Sequence, residues 1–180
     1  MPYIIIGALI ALVSIWMISV QRKLVVMDEH VDDAMSQIGV QLSSCFEALT
    51  ALLNLTKEYA AQETCPLLDA IKLYRSAITA KSTPDDVRKQ EDMLTEALDR
   101  ISMIAEQYPE LKANKSYLKY MNAVDCYEKM ICTSCLIYNN SAAKINRELR
   151  MFPTSVLGGM LGFHQRGYVE MLEERLICPA

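Results

Sequence analysis

The chain opens with an uncharged apolar stretch and then changes to a repeating pattern of apolar and polar positions. No charged side chain occurs from Tyr3 to Val20, and the basic pair Arg22-Lys23 follows almost directly. Eighteen residues at a helical rise of about 1.5 Å each reach roughly 27 Å, close to the thickness of a bilayer's hydrocarbon core. We therefore predict a transmembrane helix that includes Trp16. Residues 1–23 form the anchor, and residues 24–180 form one helical domain.

A cleaved signal peptide is the alternative interpretation of this stretch. Such a peptide places positive charge before the apolar run and a small-x-small cleavage site after it. No lysine or arginine precedes this run, which ends Ile18-Ser19-Val20, so an uncleaved anchor is favoured. Because lysine and arginine near a span tend to stay in the cytoplasm, Arg22 and Lys23 set the orientation. We expect the N-terminus outside the cell membrane and the helical domain in the cytoplasm.

Beyond the anchor, apolar residues recur at alternating spacings of four and three, which is the heptad repeat of packed helices. The first such run extends from Val31 to Tyr59. It begins close enough to the anchor for one continuous helix to leave the bilayer. Pro66 lacks an N–H and clashes with the preceding turn, so the helix either kinks or restarts there. We expect a further helix from Leu67 to about Lys81.

A clear helix start follows at Thr83. Thr83 can cap a helix, Pro84 suits the first helical position, and Asp85 and Asp86 favour the positive end of the helix dipole. The sequence therefore predicts a helix from Pro84 to about Gln107.

The rest of the chain reads as two helices separated by proline and glycine. A turn around Pro109 leads into a long helix, about Lys115 to Met151, which Pro153 ends. After a glycine-containing apolar loop, Val156 to Phe163, a last helix should cover about Gln165 to Ile177. No alternating period-two segment indicates a strand. We predict an all-α fold, in which one transmembrane helix precedes an antiparallel bundle of about four long helices.

Charge and cysteine content narrow the class of partner and the compartment. The net charge is −4, from 18 basic and 22 acidic side chains, so we expect no nucleic-acid partner, which would need a basic face. Cys132 and Cys135 have the spacing of half a zinc site, but a second pair at suitable spacing is missing. A redox pair would stand at a helix start after a strand. We interpret the six cysteines as reduced structural thiols of a cytoplasmic domain.

The sequence contains no assembled set of catalytic residues. A di-metal site in a bundle needs Glu-x-x-His on two helices, whereas the residues three before His30 and His164 are Met27 and Leu161. With these two histidines as candidate bases, no nucleophile–base–orienter set suggests itself. No glycine-rich phosphate loop lies between a strand and a helix. We predict neither an enzyme nor a bound cofactor or metal.

Gly158 and Gly162 have the GxxxG spacing that permits close helix contact. Their segment is too short to span a bilayer. Packing on the bundle is the favoured interpretation, and docking to a membrane surface or a partner is the alternative.

Several blocks of the chain together resemble the LemA family. The turn Glu106–Asn114 is similar to the most recognisable turn of that family, and Tyr59–Glu63 is similar to its Tyr-Ala-Ala-His-Glu element. Further blocks follow in the family's order: Val31–Leu42, Glu128, Ile131, Tyr138-Asn139, Phe152-Pro153 and Gly162-Phe163. The resemblance runs over nearly the whole chain. It implies a membrane-tethered helical bundle and little about biochemistry, because the family has no agreed activity.

The departures from the family pattern identify a diverged member. The family usually carries a basic pair followed by Asp-Leu-Ile-Pro-Asn-Leu-Val. Here the region Ser43–Leu53 reads SSCFEALTALL and lacks that proline, that asparagine and those arginines. A further arginine, expected just before the Tyr-Asn pair, is Cys135. An activity that depends on these arginines would be lost here.

Glu128 lies on the apolar stripe of the predicted long helix. A lone buried carboxylate is costly, so it needs a partner or stays protonated. Arg75 matches a family arginine and is the candidate partner, and Tyr138 and Asn139 could complete a polar layer. Such a layer is either a small binding or switching site or a device that fixes which helices pair; the second interpretation is favoured.

These observations favour a non-enzymatic scaffold at the membrane. The first helix should leave an apolar groove near the membrane for another helix, a protein partner or a second copy. The alternative is a ligand-sensing or accessory subunit of a membrane complex that uses the polar layer.

Overall fold

The computed structural model describes residues 2–170 of the chain, and within that range every regular element is a helix. The all-α prediction is confirmed. In chain order the elements are α1 (Pro2–Thr56), α2 (Ala61–Tyr74), α3 (Pro84–Gln107), α4 (Pro109–Ala113), α5 (Lys115–Arg150) and α6 (Thr154–Met160).

The 55-residue helix α1 joins the apolar stretch to the bundle without a break. Every side chain from Tyr3 to Ser19 is exposed, whereas Leu24 and the heptad positions from Val31 to Thr56 are buried. The part near the N-terminus is long and apolar enough to cross a membrane. Because α1 is unbroken from Pro2 to Thr56, the prediction that one continuous helix joins the apolar stretch to the bundle is confirmed.

The bundle is organised around α1 and α5, which lie antiparallel and pack along most of their shared length. Lys23 near the start of the bundle pairs with Glu148 at the end of α5, at 2.7 Å. At the opposite end, the rings of Tyr59 and Tyr108 lie 6.4 Å apart. Helix α3 packs on α1, and the core contains Phe46, Leu49, Leu53, Leu94, Ile101 and Ile145.

Helix α2 begins and ends earlier than predicted. It runs from Ala61 to Tyr74 instead of from Leu67 to Lys81. The break comes at residues 57–60, where the N–H of Ala60 donates to the carbonyl of Thr56 at 3.0 Å. Pro66 therefore lies inside the second turn of α2, where it removes one backbone hydrogen bond without ending the helix.

Three predictions near loops are also corrected. Pro109 starts a five-residue helix, α4, where a turn was expected. Helix α6 replaces much of the expected apolar loop Val156–Phe163. The predicted last helix is wrong over residues 165–170, which form no helix; its remaining part, residues 171–177, lies outside the described residues.

The predicted start of α3 is confirmed, and its cap is a testable contribution to stability. Thr83 Oγ1 accepts from the N–H of Asp86 at 3.3 Å, and Asp86 Oδ2 accepts from the N–H of Thr83 at 2.9 Å. Hydrogen bonds from Thr83 hold the pKa of Asp86 below its usual value.

We expect Thr83→Ala to lower the free energy of unfolding by about 1 kcal/mol, because the N–H of Asp86 loses the hydroxyl that accepts from it and the Asp86 carboxylate loses the hydroxyl that donates to it. Thr83→Ser keeps the hydroxyl and should stay close to wild type. Urea denaturation of the detergent-solubilised chain measures both variants. Equal stability of the alanine and serine variants would contradict the capping role.

Candidate functional site

The structure places Arg75 against α1. Its Nη2 donates to Ser43 Oγ at 2.7 Å, and the guanidinium carbon lies 5.6 Å from the centre of the Phe46 ring. Glu47 lies at 4.0 Å from the same nitrogen. Arg75 thus ties the end of α2 to α1.

Two members of the predicted polar layer, Glu128 and Tyr138, lie far apart along α5. Glu128 is half-buried on α5, and Tyr138 lies ten residues further along the same helix. Ten residues correspond to about 15 Å at a rise of about 1.5 Å each, so these side chains belong to different layers. Tyr138 and Asn139 contact the end of the described chain, and their role there was missed.

The C-terminal segment, residues 164–170, is held to α5 by two asparagine side chains. Asn146 Nδ2 donates to the carbonyl of Arg166 and its Oδ1 accepts from the N–H of Arg166, both at 2.8 Å. Asn139 makes the same two bonds with Val169, both at 2.9 Å. We call these two side chains the asparagine clamps.

The spacing of the clamps determines the conformation of the segment. Asn139 and Asn146 are seven residues apart on a helix, which is about 10 Å along its axis. Arg166 and Val169 are three residues apart, and three residues cover about 10 Å only when the chain is nearly fully extended. Tyr138 adds a hydroxyl bond to the carbonyl of Gly167 at 3.1 Å. The segment is therefore an extended stretch of chain laid along a helix.

An ion cluster with α1 fixes the side chain of Arg166. Its Nε and Nη2 donate to Asp28 Oδ1 at 3.0 and 2.7 Å, and Nη2 lies 3.0 Å from Asp32 Oδ1. The Asp32 oxygen is buried and has the charge contact but no well-aligned hydrogen bond. Burial opposes the charge of Arg166, but the hydrogen bond from Asp28 and the charges of both aspartates raise its pKa overall.

The groove that we expected along α1 near the membrane is already filled. Leu24 and Val31, the first heptad positions after the anchor, are both buried. Gly158 of α6 lies beside the side chains of Leu24 and Leu149, so α6 packs tightly there. Gly162, the other half of the GxxxG pair, has no neighbour within 4 Å of an added Cβ. Its φ of +81° instead suits the chain reversal after α6.

Helix α6 and the residues that flank it carry exposed apolar side chains. We call this surface the α6 face: Met151, Phe152, Val156, Met160 and Leu161. Because α6 contacts Leu24, it lies only four residues beyond Val20, about 6 Å along α1. The α6 face therefore lies beside the end of the candidate span.

No disulfide joins the five described cysteines, and Cys178 lies outside the described residues. Cys45 and Cys135 are buried and Cys126 is exposed. Burial, followed by the nearby charges of Glu91 and Cys132, raises the pKa of Cys135 to about 12. Within residues 2–170 no three His, Cys, Asp or Glu side chains are arranged to hold a metal ion.

We expect a maleimide to label Cys126 fast at pH 7, because thiol reactivity needs an exposed thiolate. Cys135 should label only on unfolding. Because its folded pKa exceeds its ordinary value of 9.0, this thiol stabilises the fold below about pH 9. That contribution is lost as the pH rises towards about 12. Peptide mapping by mass spectrometry identifies the labelled sites, and fast labelling of Cys135 in the folded protein would contradict its burial.

Comparison with known proteins gives two matches. A model of the LemA family matches residues 34–177, which is most of the chain. Protein LemA of Metamycoplasma hominis is 30% identical over 101 aligned residues, which cover 54% of this chain and 45% of that protein. The chain thus spans somewhat less than half the length of this relative.

Proposed function

Because the chain belongs to the LemA family, we propose that it is a single-pass membrane protein whose cytoplasmic helical bundle acts as a non-enzymatic interaction module. One observation carries this proposal: α1 is a single helix whose first part is exposed and apolar and whose remainder forms the core of the bundle. A continuous helix transmits the position of the anchor directly to the bundle. The domain is therefore held at a fixed distance from the bilayer.

The α6 face supports a second contact with the lipid. Phe152 and Met160 are among the most exposed large apolar side chains outside the anchor. Exposed apolar patches of this kind mark interaction sites, and this one lies at the level where α1 leaves the bilayer. Arg147 and Arg150 at the end of α5 add positive charge close by, which favours anionic lipid headgroups. In this arrangement the bundle rests on the membrane through α6.

The alternative of a ligand-sensing subunit loses its main support. It depended on one polar layer of Arg75, Glu128, Tyr138 and Asn139, but Arg75 bonds to Ser43 and Asn139 bonds to the C-terminal segment. Two surface grooves, one beside His30 and one beside Pro66, are open to solvent. Open surfaces suit a macromolecular partner better than a small ligand, which usually occupies an enclosed pocket.

The sidedness of the domain is tested with a membrane-impermeant maleimide on intact cells. Cys126 is exposed on α5, so a cytoplasmic domain protects it until the membrane is permeabilised. A Tyr3→Cys variant should be labelled at position 3 without permeabilisation. Cys126→Ser is the control that identifies the band. Labelling of Cys126 in intact cells would overturn the proposed orientation.

The interaction role is tested by photo-cross-linking in native membranes. A photoreactive residue replaces, one at a time, the exposed apolar side chains Val40, Met103 and Leu136, which lie on three different helices. We expect discrete cross-linked products, either with a partner or with a second copy, from at least one face and not from all three. The absence of products from every face would contradict an interaction module.

A further inference from the structure

The asparagine clamps bind the segment through its main chain. Each carboxamide donates to the carbonyl and accepts from the N–H of one residue, Arg166 for Asn146 and Val169 for Asn139. These are the two bonds that a neighbouring residue of an antiparallel strand would exchange. Recognition of this type is indifferent to side chains, and it is a general means of binding extended peptides.

Two side chains of the segment enter the site and give it selectivity. Arg166 reaches Asp28 and Asp32, and Val169 is buried in the core. The intervening Tyr168 is half exposed, and its hydroxyl accepts a long hydrogen bond from Asn146 Nδ2 at 3.4 Å; Glu170 is exposed. The site therefore reads an arginine and, three positions later, an apolar side chain.

The segment shields the polar groups of the site from water. Asn146 is only 4% exposed, and one oxygen of Asp32 is buried. Without an extended segment, Asn146 would lose two hydrogen bonds and Asp32 would lose its charge contact, and water would have to replace them. An incoming peptide that repeats the same bonds restores all of them. Exchange of one segment for another thus balances bonds lost against bonds gained.

We propose that this groove of α1 and α5 is a binding site for an extended arginine-bearing segment of a partner protein, with residues 164–170 as its placeholder. The proposal rests on the interaction role proposed above and names the chemistry of the partner: an arginine followed three positions later by an apolar residue. The placeholder follows Gly162, whose left-handed backbone marks the point from which it departs. Displacement of the segment exposes the clamps beside the membrane.

Fluorescence anisotropy with a labelled peptide of residues 162–170, GFHQRGYVE, tests this proposal on the full chain in detergent. Arg166→Ala weakens the placeholder, and this variant should bind the peptide at least tenfold more tightly than wild type. Adding Asn139→Asp, which keeps the size of the side chain but removes a donor, should abolish that gain. A peptide with alanine in place of its arginine should bind at least tenfold more weakly.

Circular dichroism must show that the Arg166→Ala variant keeps its helices. Should it unfold, the wild-type chain is used with the same peptide carrying a photoreactive group at the Tyr168 position. At saturating peptide we expect adducts on α5 between Asn139 and Asn146. No adduct on α5, or equal binding of the arginine and alanine peptides, would overturn the proposal. The peptide test uses only the purified chain and a synthetic peptide. Its failure would therefore leave the interaction module to be judged by the photo-cross-linking test in native membranes.

Discussion

Replacing Phe46 with alanine is expected to lower the free energy of unfolding by about 3–5 kcal/mol. Phe46 is 1% exposed and lies in the core between α1 and the other helices. Its removal leaves a cavity in a closely packed interior, and the guanidinium of Arg75 also loses the ring that it covers. Urea denaturation of the solubilised chain, followed by circular dichroism, measures the loss.

Phe152→Ala is the matched control for this prediction. Phe152 is 84% exposed on the α6 face, so the same chemical change removes almost no packing inside the protein. We expect a change in unfolding free energy of about 0.5 kcal/mol or less, as for surface substitutions in general. Equal losses of stability in the two phenylalanine variants would contradict the assignment of Phe46 to the core and of Phe152 to the surface.

Gly39→Ala is expected to destabilise the chain by about 1–2 kcal/mol. A Cβ at Gly39 would collide with the backbone carbonyl of Ile78, in the loop between α2 and α3. Backbone cannot rotate aside as a side chain can, so the loop must move, and overpacking of this kind costs typically about 1–3 kcal/mol. The higher helix propensity of alanine, worth up to about 1 kcal/mol, only partly offsets this cost.

Gly159→Ala provides the comparison. No atom lies within 4 Å of an added Cβ at Gly159, so this variant should be as stable as wild type or slightly more stable. Both variants are compared by the same denaturation experiment. An unchanged Gly39→Ala protein would contradict the close approach of the loop to α1.

The long helices could be predicted from sequence because their causes are local. Thr83 and Pro84 specify the start of α3 through capping and a preset φ. The heptad repeat of α1 specifies one buried stripe, and no residue between Val20 and Val31 interrupts helix formation. The order of the sequence blocks predicted membership of the LemA family. The match to the family model over residues 34–177 confirms that prediction.

The break between α1 and α2 could not be placed from local rules. Pro66 is the obvious interruption, but the chain turns at residues 57–60 instead. Tyr59 packs against the core, and its ring lies close to Tyr108. The turn therefore depends on tertiary contacts, which no local pattern specifies, and a proline early in a helix is tolerated.

The asparagine clamps show the same limit at the candidate site. Asn139 was identified, but Asn146, Arg166 and the two aspartates were not. The available signal was the heptad spacing of Asn139 and Asn146 on an otherwise apolar stripe of α5, because asparagine there needs a partner. The partner is the backbone of a distant segment, so its identity depends on the fold. Asp28 pairs with Arg166 across 138 positions of sequence, a distance that no periodicity argument covers.

Quenching of tryptophan fluorescence by brominated lipids tests the central claim, a bundle held on the membrane by one continuous helix. The chain has a single tryptophan, Trp16, in the candidate span. In nanodiscs, lipids brominated along the acyl chain should quench Trp16. With Trp16 replaced by phenylalanine, a tryptophan at position 152 should be quenched by lipids brominated near the headgroup. A tryptophan at position 108, at the far end of the bundle, should not be quenched. Equal quenching at positions 152 and 108, or none at Trp16, would contradict the account.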